Sequence, residues 1–173
     1  MKLKKTFLLL CCWPLTGLGY DLDDEYDYED EDLPYVEILQ ASDFAALSRE
    51  SRATGKVIML EMSASYCGFC RTLEEEIIKP MLRSGDYEQN VLIRKLDIDS
   101  YSDIRHFGGD TISPAQLASQ LNVFVTPTLI FLDSRGQEVS DRILGVYSLD
   151  YFGAYVDDAL IEGHRKIQQN RQL

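Results

Sequence analysis

Cysteine and histidine are scarce in this sequence, with four of the first and two of the second in 173 residues. Cys11 and Cys12 fall within the first nineteen positions, so only Cys67 and Cys70 remain for the rest of the chain. So small a set excludes a scaffold of several disulfides. It also argues against structural zinc, which takes about four ligands, because only His106 and His164 could join the pair. No serine or cysteine triad can be assembled around those histidines, which sit in polar segments and read as bystanders. Basic residues are few as well, 17 against 29 acidic ones, for a net charge of −12. A chain this acidic repels nucleic-acid phosphates, so no nucleic-acid partner is expected. It has no basic amphipathic stretch for an anionic membrane surface. No apolar run reaches the roughly 20 residues that span a bilayer, so no stable membrane insertion is expected either.

The beginning of the chain has the layout of an export signal. Lys2, Lys4 and Lys5 precede a mostly apolar run from Thr6 to Leu18, and Gly17-Leu18-Gly19 places small residues where a signal peptidase inspects them. Residues 1–19 therefore read as a signal peptide, which makes the mature protein periplasmic or otherwise extracytoplasmic. Lipid attachment at Cys11 or Cys12 is the rival, yet neither follows a small residue; a retained anchor would change only the address. Cleavage removes three lysines and no acid, taking the net charge from −12 to −15. Residues 20–35 are dense in carboxylates and tyrosines and read as a flexible acidic segment, since like charges at this density resist compaction. Its plain role is solubility; docking onto a basic partner is the sharper alternative. A folded domain is expected over 36–163 and a polar C-terminal tail over 164–173.

Within that domain the patterning alternates strand and helix. Ser42 is placed to cap a helix reaching about Arg52, with Gly55 ending it. Lys56 to Met62 (KVIMLEM) is an apolar run suited to a buried central strand. After the loop Ser63–Tyr66, residues Arg71 to Lys79 have helical spacing, and Pro80 is expected to kink or end that helix. Val91 to Asp97 reads as a second strand and 99–111 as an irregular polar stretch. Ser113-Pro114 is a good helix start, for a helix to about Leu121. Thr128 to Asp133 reads as a strand, 134–137 as a turn, and Glu138 to Leu144 as its hairpin partner. Ser148 is expected to cap a last amphipathic helix bearing Leu149, Phe152, Val156 and Leu160, frayed from Gly163. This order implies an α/β fold with a mixed central sheet flanked by helices on both faces, three layers in all.

The chemistry centres on Cys67-Gly68-Phe69-Cys70. Cysteines at i and i+3 straddle the first turn of a helix that follows a buried strand. Unpaired backbone N–H groups and the helix dipole there favour a thiolate at Cys67, the nucleophile of disulfide exchange. Cys70 lies one turn deeper, placed to attack a mixed disulfide. A structural staple is the bland alternative, but closing so short a loop removes little chain entropy. Glu61 is a carboxylate inside the apolar strand, where burial is costly. It either accepts the proton of Cys70, points outward, or pairs with a lysine such as Lys56 or Lys95. Glu74, Glu75 and Glu76 read most simply as a solvated helix face. Thr126-Pro127 opens a strand, where a proline without an N–H belongs.

These residues resemble the thioredoxin superfamily. Lys56 to Arg71 (KVIMLEMSASYCGFCR) is similar to the strand–loop–helix that carries its active-site cysteines. Val125-Thr126-Pro127-Thr128 resembles its cis-proline loop, and Gly145 the glycine after the last strand. The resemblance covers about residues 41–162. It implies a thioredoxin fold, Cys67 as attacking thiolate, Cys70 as resolving thiol and Glu61 at the place of the family's buried acid. It further implies a cis Pro127, substrate contacts at Tyr66, Gly68, Phe69, Thr126 and Pro127, and no cofactor beyond the cysteine pair itself. Gly-Phe between the cysteines departs from the Gly-Pro of cytosolic thioredoxins. The stretch 99–111 and Thr126 look more like the exported SoxW-type proteins, while Dsb-type isomerases share the Gly-aromatic pair and the threonine. The expected function is a monomeric exported reductase of protein disulfides, itself re-reduced by a membrane thiol donor. An isomerase, an oxidase and a non-catalytic binding module with an acidic tether are the alternatives.

Overall fold

The structure, a computed structural model, describes residues 33–171. The expected signal at 1–19 and the acidic segment as far as residue 32 lie outside the described residues. Helix α1 (Phe44–Thr54) is capped by Asp43, one residue after the expected Ser42, because the Asp43 carboxylate accepts from the Ala46 N–H at 2.7 Å. Gly55 closes the helix at φ 80°, a left-handed conformation suited to glycine, and donates to Ser51 O. Strand β1 (Val57–Ser63) is buried at all seven positions, as its unbroken apolar run requires of a central strand.

The helix after the cysteine motif does not break at Pro80. Helix α2 (Gly68–Leu73) passes through one wide π turn (Glu74–Ile78) into α3 (Lys79–Ser84), with Pro80 in the first turn of α3. Proline has no N–H and its ring crowds the carbonyl four residues back. The wide turn, in which the Lys79 N–H donates to Glu74 O, absorbs that conflict and lets the helix continue.

Strand β2 (Val91–Asp97) runs parallel to β1, and Leu39–Ala41 pairs with its outer edge through Ala41 N–H to Lys95 O (2.8 Å) and Lys95 N–H to Leu39 O (3.0 Å). The stretch expected to be irregular contains a small hairpin, β3 (Ile104–Arg105) with β4 (Thr111–Ile112). Helix α4 (Pro114–Gln120) starts as its sequence predicts, with a reciprocal capping box between Ser113 and Gln116. Strand β5 (Thr128–Leu132) is wholly buried and antiparallel to β1.

Two expectations need correction. The hairpin partner of β5 is only β6 (Ile143–Leu144), with a lone bridge from Leu132 to Glu138. Between them the chain leaves the ladder: Val139 is buried, and the Arg142 guanidinium donates to Leu121 O, Asn122 O and the Glu138 carboxylate. The final helix α5 spans Phe152–Arg171, so neither Leu149 nor a frayed end at Gly163 belongs to it. Gly163 and Ile167 are buried and carry the helix through the residues expected to form a tail.

The sheet is mixed, as expected, and its strand order is β2-β1-β5-β6. Val57 and Met59 of β1 pack with Leu73, Ile78, Met81 and the α5 residues Phe152, Val156 and Leu160. Ile58, Leu60 and Met62 pack on the other face with Phe44, Leu47, Leu117 and Ala118 of α1 and α4. Two apolar cores on opposite faces of one sheet make the three layers.

Candidate active site

Strand alternation sets the position of the site. Residues 57, 59 and 61 of β1 share one face, the face covered by α2 and α5. Because β1 is antiparallel to β5 with Met62 opposite Thr128, the chain leaving β1 and the chain entering β5 meet at one end of the sheet. The first carries Ser63 to Cys67, the second Phe124 to Pro127.

Cys67 caps α2 at φ −84°, ψ 105°, and its sulfur accepts from the Cys70 N–H at 3.1 Å. The two cysteines form a disulfide with their Cα atoms 5.3 Å apart. Cys67 is 7% exposed and Cys70 1%, so the outer sulfur is the approachable one. The approach loop is held in place: Cys67 N–H donates to Ala64 O, and the Ser65 N–H and hydroxyl both donate to the Asp99 carboxylate. Those bonds to Ser65 hold Asp99 below the usual carboxylate range.

The Thr126–Pro127 bond is cis. Thr128 donates through its hydroxyl to Val125 O (2.8 Å), and Gly145 N–H, at φ 67°, donates to Pro127 O (2.8 Å). Pro127 is buried and Thr126 half-buried. Tyr66 and Phe69, flanking the cysteines, are well exposed, as are Phe124 and Val125 before the cis bond. Neither of the last two was expected as a substrate contact, although two apolar residues ahead of a strand-opening Thr-Pro are an available signal. Gly68 is the first residue of α2.

Glu61 points inward. It is fully buried, and neither carboxylate oxygen has a hydrogen-bond partner among the described residues. Burial is the main reason its pKa is pushed up to about 8; Glu74 and Asp97 add to the rise and Lys95 opposes it. Lys95 is the cross-strand partner of Glu61, yet its ammonium bonds Glu74 Oε1 at 2.7 Å and lies 3.6 Å from Asp97 Oδ1. Glu74 is thus no part of a solvated face: its side chain is 15% exposed and turned to the sheet. Only Glu75 and Glu76 face solvent, Glu75 paired with Lys79. Spacing offered a signal for Glu74, which lies four residues after the buried Cys70 and so on the same side of the helix. No group of three or more histidine, cysteine or carboxylate side chains among the described residues is placed to hold a metal ion.

The family model for the thioredoxin-like domain matches residues 45–160. The chain belongs to the thioredoxin-like domain family. It is 25% identical over 150 residues to the thiol:disulfide interchange protein DsbD of Tatumella citrea, covering 86% of this chain and 24% of that one. It is 30% identical over 96 residues to thioredoxin H2 of Arabidopsis thaliana, covering 56% of this chain and 58% of the relative. The chain therefore spans less than two thirds of the length of either curated relative. Among solved structures, the germline-specific thioredoxin Deadhead of Drosophila melanogaster superposes with a TM-score of 0.50 at 18% identity, over 70% of this chain and 98% of that one. The fold is the thioredoxin fold, and the Cys67–Cys70 disulfide lies at the start of α2 within it.

Proposed function

We propose that the chain is an exported reductase of disulfides in extracytoplasmic proteins, acting as a monomer through the Cys67–Cys70 pair. The observation that carries this reading is the disulfide at the start of α2, outer sulfur approachable and inner sulfur buried, one turn ahead of the half-buried Glu74–Lys95 ion pair. The lysine-led apolar run at the N-terminus supports export.

In the reduced protein the Cys67 thiolate attacks one sulfur of the partner disulfide. A mixed disulfide forms, the partner S–S bond breaks, and the departing thiolate takes a proton from solvent. The Glu61 carboxylate accepts the proton of Cys70, and the Cys70 thiolate attacks Cys67 Sγ. The mixed disulfide breaks, the Cys67–Cys70 disulfide forms, and the second partner thiolate is protonated at the expense of the proton Glu61 took. Two electrons pass from the dithiol to the partner. The exposed Tyr66, Phe69, Phe124 and Val125 give an extended substrate segment an apolar landing surface, with backbone groups of Thr126 beside it. A membrane thiol donor restores the dithiol, and no other cofactor takes part.

The test is trapping followed by a potential. Cys70→Ser should accumulate mixed disulfides with a small set of extracytoplasmic proteins, and Cys67→Ser none; equal yields from both would overturn the assignment of the attacking sulfur. A reduction potential near about −270 mV fits a reductant, whereas one near about −120 mV would make the protein a disulfide donor.

A further inference from the structure

We propose that Glu74 is a positioning residue of the exchange site, holding the Lys95 ammonium away from Glu61 so that the Glu61 carboxyl stays uncompensated and ready to take up a proton. The inference rests on the reading that Glu61 manages the Cys70 proton.

The placement follows from three registers. Glu61 and Lys95 are paired positions on neighbouring parallel strands, so their side chains leave the sheet side by side, on strands about 4.8 Å apart. An ion pair between them is the arrangement that simple register favours. It does not form: both Glu61 oxygens are buried without a partner, while Lys95 Nζ sits 2.7 Å from Glu74 Oε1 and 3.6 Å from Asp97 Oδ1. Glu74 reaches that point because it follows Cys70 by four residues and begins the wide turn imposed ahead of Pro80. Asp97 is the next same-face position of β2 and is itself bonded by Gln40 Nε2 at 2.8 Å.

Among the described residues, three charged groups act on Glu61. The helix side supplies Glu74, and β2 supplies Lys95 and Asp97. On the other flank β5 places the apolar Leu129 opposite Glu61, and the buried α5 residues nearest the start of that helix are Phe152 and Val156. One cation is thus shared among three carboxylates, and the two beside Glu61 outcompete it. Neutralising Glu74 leaves Lys95 one strong partner fewer and removes a like charge, and both changes favour ionised Glu61.

The experiment follows the Glu61 side-chain carboxyl by carbon NMR against pH in the full chain, oxidised, in four variants. In Glu74→Gln, which keeps the shape of the side chain and removes its charge, the Glu61 midpoint should fall by about one pH unit or more. In Glu76→Gln, an exposed neighbour on the same turn, it should not move. In Lys95→Met it should rise. In the Lys95→Met background the further change Glu74→Gln should shift the midpoint less than it does alone, because the two act through one ammonium. An unmoved midpoint in Glu74→Gln, or an equal shift with and without Lys95, overturns the inference. The parent reading fails separately: wild-type disulfide reduction whose pH profile survives Glu61→Gln unchanged would sink the proton role while leaving the NMR coupling intact.

Discussion

A carboxyl buried with both oxygens unbonded costs stability whenever it is ionised. Glu61 titrates at about 8 in the folded protein against an ordinary 4.5, so the folded state holds this proton more tightly than the unfolded one. The sign follows: the penalty is absent below pH 4.5, grows as pH rises, and is complete above 8. At roughly 1.4 kcal/mol per unit it amounts to about 4–5 kcal/mol. Glu61→Gln should therefore gain stability over wild type as pH rises from 4 to 9, read by urea denaturation; a constant difference across that range would show that Glu61 does not titrate there. The same substitution should slow resolution of the mixed disulfide by about 100-fold and abolish a rate limb near pH 8, followed by single-turnover quench.

At the scale of elements, the last two turns of α5 decide whether the helix is docked or loose. Ile167 is 7% exposed within the core on the α2 face. Ile167→Ala should cost about 2–3 kcal/mol in denaturant midpoint terms, and no loss would mean that the helix ends near Gly163. Polar composition after residue 163 hid this in the sequence, although Ile167 follows Leu160 by seven residues and so falls on its stripe. The strands β1, β2 and β5 were legible because each is an apolar run between turn signals. Strand β6 was not: alternation continues to Leu144, but burial of Val139 and the reach of Arg142 to the α4 C-terminus are tertiary events. Glu74 was hidden for a similar reason, since its partner Lys95 lies on a strand twenty-one residues away. The cysteine motif was legible because its spacing is local, whereas the cis bond at Pro127 was expected only through the resemblance to thioredoxins. The wide turn before Pro80 was half legible, as a conflict whose resolution the sequence left open.

At the scale of the molecule, a compact unit begins at Pro34. A chain trimmed to residues 34–171 should keep the exchange rate of the full protein on a small disulfide, measured by thiol release. A large loss would assign the acidic segment a part in the chemistry. The net charge of −12 matters at this scale too, since association with basic partners should weaken with added salt while exchange on a neutral disulfide should not.

All of this depends on Cys67 being the reactive sulfur of the reduced protein. Alkylation with iodoacetamide at pH 6, resolved by peptide mass spectrometry, tests it directly. Cys67 should be modified much faster than a free cysteine peptide, with Cys70 left untouched. Slow and equal modification of both would contradict the account.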